Sequence, residues 1–251
     1  MPRTPWGWEI TPEELQSWIL FEDEKLLVVN KPGLVVCHPS KHGPRSSLIG
    51  ACREYLGAAR LHMPSRLDRE TSGVVVFAKT TDVGVLLQRA TQHRKIRKVY
   101  YAVLVGRLPE PIEVDAPIGK DTAAAVWMKQ AIVPDAQSAR TNFHPLASAE
   151  GYTLTQIEPH TGRLHQIRVH AASIGHPVAG DKIYGPDQHL FLEFLANGWT
   201  PRHAALLQFE RHMLHAYEWE CLDPRIPLRF RAPLPHAWQS VTCVAGAAHL
   251  F

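Results

Sequence analysis

The run Arg66-Leu67-Asp68-Arg69-Glu70-Thr71-Ser72-Gly73 sets one carboxylate between two guanidinium-bearing residues, directly ahead of the apolar stretch GVVVFAK. A carboxylate so flanked stays ionised at neutral pH, because adjacent positive charge favours its charged form. Placed at a strand edge and followed by Thr-Ser-Gly turn chemistry, Asp68 is a candidate catalytic group. Glu70, two residues on, points to the other face of an extended segment, which leaves one carboxylate to act. On these residues alone, an exposed turn with local charge pairing is the more ordinary explanation.

A second constellation is His160-Thr161-Gly162-Arg163-Leu164-His165-Gln166-Ile167-Arg168-Val169-His170. Its period predicts a helix capped by Thr161, with Arg163, His165 and Arg168 within two turns, and with His165 and Arg168 on one face. Outward-pointing N–H groups at its start together with these cations suit a carboxylate or a phosphate. An amphipathic helix with a solvated basic side explains the same residues. Zinc binding is disfavoured, since His160, His165, His170 and His176 follow at spacings of five, five and six rather than the i, i+4 of a helical pair, and no cysteine lies near. No metal site is therefore expected.

The third is Lys98-Val99-Tyr100-Tyr101-Ala102-Val103, an apolar run of strand length. Alternation sends Tyr100 and Tyr101 to opposite faces, so that one can pack in a core while the other faces a cleft and stacks on a base. Two core tyrosines would look the same. Ahead of it, Arg89 to Lys98 carries five Lys or Arg and no acid. Arg94 and Lys95 there are candidates for phosphate contacts, although basic residues also commonly end a helix by complementing its dipole.

Around these residues lies a chain of 251 residues, 45% hydrophobic, with 27 Lys and Arg against 24 Asp and Glu. That length and composition exclude a disordered or fibrous protein. The formal charge of +3 permits a polyanionic partner without requiring one, and the uneven placement of acids and bases points weakly to nucleic acid. Cys37, Cys52, Cys221 and Cys243 form no C-x-x-C pair and read as free thiols in a reducing compartment. With no signal-peptide or membrane-span pattern at the N-terminus, a cytoplasmic location is expected, and the chain is expected to act as a monomer.

The elements that must position the candidates can be read by period. Thr11-Pro12-Glu13-Glu14 predicts a helix start with proline at its first position, inside a short arm over residues 1–18. Residues 19–251 are expected to form a single domain. KLLVVNKPGLVVCHP predicts strand, turn, strand, and residues 73–80 a further strand. TDVGVLLQRATQ predicts a helix capped by Thr81 or Asp82, with Val83, Leu86, Leu87 and Ala90 on its apolar face. Residues 107–140 read as loops with weak strands, YTLTQIE as a strand, and HMLHAYEWE with IPLRFRA as a hairpin across Asp223-Pro224-Arg225. Without a strict βαβ repeat, the class is α+β, with a mixed, mostly antiparallel sheet flanked by helices.

Taken together, NKPGLVVCHP, RLDRETSGVVVFAK, KVYYAVLVG and TGRLHQIRVHAASIGHPVAGDKIYG resemble, in order, the RluA family of RNA pseudouridine synthases, over about Ile19 to Trp238. The resemblance implies the pseudouridine synthase fold, a structured RNA partner and no cofactor. It also implies that Asp68 is the catalytic aspartate, that Tyr100 packs on the target base, that Arg168 pairs with Asp68 and that Arg66 helps to displace the target nucleotide. Arg69, Thr71, Arg163 and His165 join Arg66 as candidate substrate contacts. Relatives usually carry His before RLD, where this chain has Ser65, and many carry a further RNA-binding module at the N-terminus. The short form resembles the RluA and TruC branch, whose substrates are ribosomal or transfer RNA.

Overall fold

A computed structural model describes residues 3–4, 7–38, 43–244 and 246–251. The chain divides into two compact units, Met1–Lys98 with Ala216–Leu234, and Val99–His215 with Pro235–Phe251.

In the first unit, the two-residue strands β1 (Arg3–Thr4) and β2 (Gly7–Trp8) pair ahead of helix α1 (Pro12–Trp18). The helix starts where the sequence predicts: the Thr11 hydroxyl accepts from the Glu14 N–H while the Glu14 carboxylate accepts from the Thr11 N–H, and Pro12 needs no partner at the first position. Strands β3 (Ile19–Glu22) and β4 (Leu26–Lys31) follow as an antiparallel pair. Helix α2 (Leu48–Leu56), absent from the sequence reading, runs from a Ser47 cap to Gly57 in the left-handed region. Strand β5 (Ser72–Ala78) pairs antiparallel with β4, and helix α3 (Thr81–Gln92) comes next. Leu27, Val29, Val75 and Phe77 enter one apolar cluster while Leu26, Val28, Val74 and Val76 enter another. Burial on both faces is why these strands read as continuous apolar runs rather than alternating ones.

In the second unit, β6 (Ile96–Val105) is joined by β7 (Ile112–Asp115), the small hairpin β8 (Ile118–Lys120) and β9 (Gln130–Ile132), then β10 (Arg140–Ala149) and β11 (Tyr152–Pro159). From its Tyr100–Val105 part, β6 pairs with β11, β11 with β10 and β10 with β7, all antiparallel. Helices α4 (Gln166–Ser173), α5 (His189–Asn197) and α6 (Pro201–Leu207) complete it. The chain returns to the first unit through β12 (Leu214–Cys221) and β13 (Leu228–Arg231), the hairpin the sequence indicates. Helices accompany mostly antiparallel strands, which is the α+β class expected. Among the described residues no helix is long and apolar enough to cross a membrane.

Three local readings are corrected. Residues 34–38 are not a strand. Leu34 is left-handed (φ 74°), the Val35 carbonyl accepts from the Lys31 ammonium, and the Val36 and Cys37 carbonyls accept from the Leu48 and Ile49 N–H groups at the start of α2. These carbonyls are committed to a side chain and a helix end rather than to a ladder. The α3 cap is Thr80, whose backbone is extended, and Thr81 and Asp82 already lie in the helix. Helix α4 begins at Gln166, five residues after Thr161, because His165 is left-handed (φ 56°) and Gln166 Oε1 accepts from the Thr161 hydroxyl and the Arg163 N–H, holding residues 161–165 in a turn.

Candidate active site

Asp68 stands half-buried on the turn that leads into β5, with Arg66 and Arg69 exposed on either side and Thr71 buried behind it. The turn is fixed from beneath by Lys31, which is 0% exposed and donates to the carbonyls of Pro32 (2.9 Å), Val35 (2.8 Å) and Arg69 (3.1 Å). These bonds tie residues 31–35 to the Asp68 turn. Arg69 adds a second tie, Nε to the Leu34 carbonyl at 3.3 Å. The Arg66 guanidinium hydrogen-bonds His38 Nε2, and burial followed by the charge of Arg66 holds the His38 ring below its ordinary pKa. The Cys37 thiol is pushed up by burial, against the opposing pull of Lys31, and it also feels Asp68 and Arg66. The turn runs into β5, whose second residue, Gly73, is left-handed (φ 115°) and would place a Cβ 2.1 Å from the Ala216 carbonyl oxygen, so only glycine fits there.

The basic stretch is partly neutralised within its own unit. Lys95 reaches Asp223 at 3.3 Å, beside Arg225 at 2.7 Å, and Arg97 reaches Glu220 at 3.5 Å. Hydrogen bonds from Arg225 keep the Asp223 carboxyl far below the usual range. Arg94 is exposed and left-handed (φ 55°), and burial draws the Lys98 ammonium down to about 8.

In the second unit, Tyr100 and Tyr101 are both buried on β6, and Tyr101 bonds Gln156. Arg168 is 4% exposed on α4, and its Nε and Nη2 meet Asp181 Oδ2 and Oδ1 at 2.6 and 2.9 Å. Asp181 Oδ1 also accepts from the Ile183 and Tyr184 N–H groups. Burial works to raise the Asp181 pKa, but the charge and hydrogen bonds of Arg168 outweigh it and hold the carboxyl well below its ordinary value. The Arg168 guanidinium lies 5.0 Å from the centre of the Tyr184 ring, whose hydroxyl bonds His165 Nδ1 at 2.8 Å and accepts from the Gln130 N–H at 2.9 Å. His165 and Arg168 thus converge on Tyr184, whereas Arg163 turns away and donates to the Ser138 carbonyl. Two further histidines of this segment have side-chain partners: His170 bonds Thr141 and the Ala116 carbonyl, and His176 bonds the Val105 carbonyl.

Sequence reasoning assigned no role to Lys31, His38, Asp181 or Tyr184. Each stands inside a motif that was legible, NKPG, VVCHP or AGDKIYG, but nothing in local spacing links Asp181 to Arg168, 13 residues earlier.

The RNA pseudouridylate synthase family profile matches residues 25–173, more than half of the chain. An uncharacterised RNA pseudouridine synthase of Chloroflexus aurantiacus is 37% identical over 84% of this chain and 64% of its own length. Ribosomal large subunit pseudouridine synthase D of Nitrosomonas europaea is 35% identical over 89% of this chain and 63% of its own. The chain therefore spans a little under two thirds of these relatives. Among solved structures, human RNA pseudouridylate synthase domain containing 4 superposes with a TM-score of 0.70 at 25% identity, over 93% of this chain and 94% of that one. Its human counterpart domain containing 1 gives 0.71 at 23% identity, over 90% and 86%, a likeness of fold. The carboxylate turn, the Tyr100 strand and the Arg168 helix all fall within the matched span, in the order the motifs dictate, and the chain belongs to the RluA-type family of RNA pseudouridine synthases.

Proposed function

We propose that the chain isomerises a uridine of structured RNA to pseudouridine, with Asp68 as the catalytic carboxylate and without a cofactor. The observation that carries this is the construction of the Asp68 turn, in which a half-buried carboxylate between two exposed arginines is anchored by a wholly buried lysine. Such anchoring keeps a reactive group in one geometry while its two arginines stay exposed toward a polyanion.

The reaction breaks the N1–C1′ bond, turns the uracil, and joins C5 to C1′. The proton lost from C5 is balanced by the one gained at N1, so no redox equivalent or water is consumed. One carboxylate suffices, as nucleophile at C1′ or as base at the ribose. Glycoside hydrolysis would ordinarily need two, to activate water and protonate the leaving group.

The target base has to leave its stack, at a cost of roughly a few kcal/mol. Arg66 assists that step, Tyr100 stacks on the flipped base and Arg168 keeps Asp68 ionised and oriented. Arg69, Thr71, Arg163 and His165 contact substrate, and Arg94 with Lys95 reaches phosphates. Several relatives are named for the ribosomal large subunit, which favours ribosomal over transfer RNA as substrate.

The test is to incubate the purified protein, with EDTA present, with unmodified transcripts of large-subunit ribosomal RNA and of transfer RNAs, and to map pseudouridine afterwards. Conversion at one or a few uridines of ribosomal RNA is expected. Conversion confined to transfer RNA would overturn the choice of substrate, and no conversion in either, with RNA cleavage or base release instead, would overturn the reaction.

A further inference from the structure

Arg66 is exposed, and a long exposed side chain ordinarily wanders among many rotamers. Here its Nη1 is bonded to Nε2 of His38, 28 residues earlier. A guanidinium carries donors and no acceptor, so the bond has one direction. Arg66 donates, Nε2 accepts, and the His38 ring is neutral with its proton on Nδ1. A protonated ring would offer Arg66 no acceptor and would repel its charge.

His38 stands on a fixed support. It closes the segment 34–38, whose Val35 carbonyl accepts from Lys31 and whose Val36 and Cys37 carbonyls accept from the Leu48 and Ile49 N–H groups. Leu67, between Arg66 and Asp68, packs against the apolar cluster that contains Val35 and Cys37. The segment and the Asp68 turn therefore share one floor, and the His38 ring reaches from the first to the arginine of the second. Among the charged and titratable groups of the described residues nearby, Asp68 and Arg69 lie on the facing turn, Lys31 donates to carbonyls beneath it and Cys37 precedes the ring in the chain. The charge that acts on the ring is that of Arg66, and burial works in the same direction, so the neutral acceptor is in place at neutral pH. A hydrogen bond between two exposed side chains adds little to stability, and what it supplies is direction.

We propose that His38 is a positioning residue, which holds the Arg66 guanidinium in the direction from which it acts on the target nucleotide; this rests on the role proposed above for Arg66. The test is a set of variants compared, per folded molecule, in single-turnover pseudouridine formation on ribosomal RNA. His38→Leu removes the acceptor, and the rate should fall about 10-fold, because Arg66 then has to be ordered anew in each event. His38→Gln, whose Oε1 falls where Nε2 stood and takes up no proton, should stay within about twofold of wild type at neutral pH. Affinity for RNA should change by less than about threefold in both, since Arg66 keeps its charge. In an Arg66→Met background, adding His38→Leu should cost less than about twofold more, because its effect passes through Arg66. As pH falls below about 6, His38 takes up a proton and releases Arg66, so the ratio of the wild-type rate to that of His38→Gln should fall toward about a tenth.

An active wild-type protein whose His38→Leu form keeps its rate within about twofold, or whose Gln form is damaged as much as its Leu form, overturns this inference alone. A wild-type to His38→Gln ratio that stays constant with pH does the same. Losses that multiply in the Arg66→Met background would also overturn it, and would mean that His38 meets the RNA itself. Undiminished activity of Arg66→Met removes the role of Arg66 and this inference with it, while the reaction stands. A wild-type protein unable to modify any RNA overturns the inference together with the proposed function.

Discussion

Lys31 and Arg168 are both buried cations, 0% and 4% exposed, and they are satisfied in opposite ways. Lys31 donates to three backbone carbonyls, two of them within four residues and one on the Asp68 turn. Arg168 gives its side edge to a carboxylate, and its plane rests on an aromatic ring. Bonds to carbonyls tie a cation to the chain path, so Lys31 serves to pin chain segments to each other. A carboxylate cancels charge but dictates direction, so Asp181 serves to aim a guanidinium. One device fixes a path of backbone, the other the orientation of a side chain.

The comparison breaks first, if it is wrong, at Arg168. Replacing it by Ala leaves the Asp181 carboxylate buried without its partner, which should cost about 3–5 kcal/mol of stability and lower activity at least about 100-fold. Denaturant melts and single-turnover assays on the same preparation would show both, and unimpaired turnover would remove Arg168 from the site. Lys31→Met should cost less, about 2–4 kcal/mol, because the lost bonds are to neutral carbonyls and the burial of a charge is relieved at the same time. Its RNA affinity should be little changed, whereas a large loss of affinity at intact stability would mean that Lys31 faces the substrate.

Acid sharpens the contrast further. His212 is 2% exposed, and burial followed by the charge of Arg168 holds it well below the ordinary 6.5. A histidine whose folded pKa is depressed is protonated first in the unfolded chain, so stability should drop as pH falls below about 6.5, by up to about 1.4 kcal/mol per pH unit. His170, also lowered by burial, acts in the same direction. Asp181 adds a further loss below about pH 4, where the unfolded chain takes up a proton that the folded carboxylate refuses. Unfolding free energies between pH 7 and pH 5 should have a shallower slope in His212→Gln than in wild type. An identical slope would mean that His212 carries no proton linkage.

The smallest effect is expected on the surface. Replacing Arg94 and Lys95 together by Gln should make the log–log salt dependence of RNA binding shallower by about one unit, with Arg94 the main contributor because Lys95 already faces Asp223. Choice of uridine should not change, and an unaltered slope would remove both residues from the RNA surface.

What was legible in the sequence follows the same division between local and distant determinants. Strands β5 and β6 and helix α3 were visible because period and composition are properties of neighbouring residues, and α1 because Thr11 and Glu14 cap each other. Strand β10 went unread because Pro145 interrupts it beside a β-bulge between Pro145 and Ala147, which breaks the alternation. Residues 34–38 look like a strand by composition, and only the demands of Lys31 and of the α2 terminus keep them out of the sheet. Among the candidate site residues, Asp68 and Arg168 were singled out through motifs, while the partner of Arg168, Asp181, escaped because its meaning is a bond across 13 residues. Lys31 escaped because the bonds that tie it to the turn are to carbonyls, which every residue has.

The central claim, that a single carboxylate on the Lys31-anchored turn performs the chemistry, is tested most directly by Asp68→Asn. Pseudouridine yield would be measured over a single turnover on a ribosomal RNA fragment that the wild-type protein modifies, with RNA binding and melting temperature followed alongside. The expected result is activity below about a hundredth of wild type, with RNA affinity and stability nearly intact, because the amide keeps the shape and loses the reactive oxygen. Turnover by the Asn variant close to that of wild type would contradict the account and move the reaction to another group.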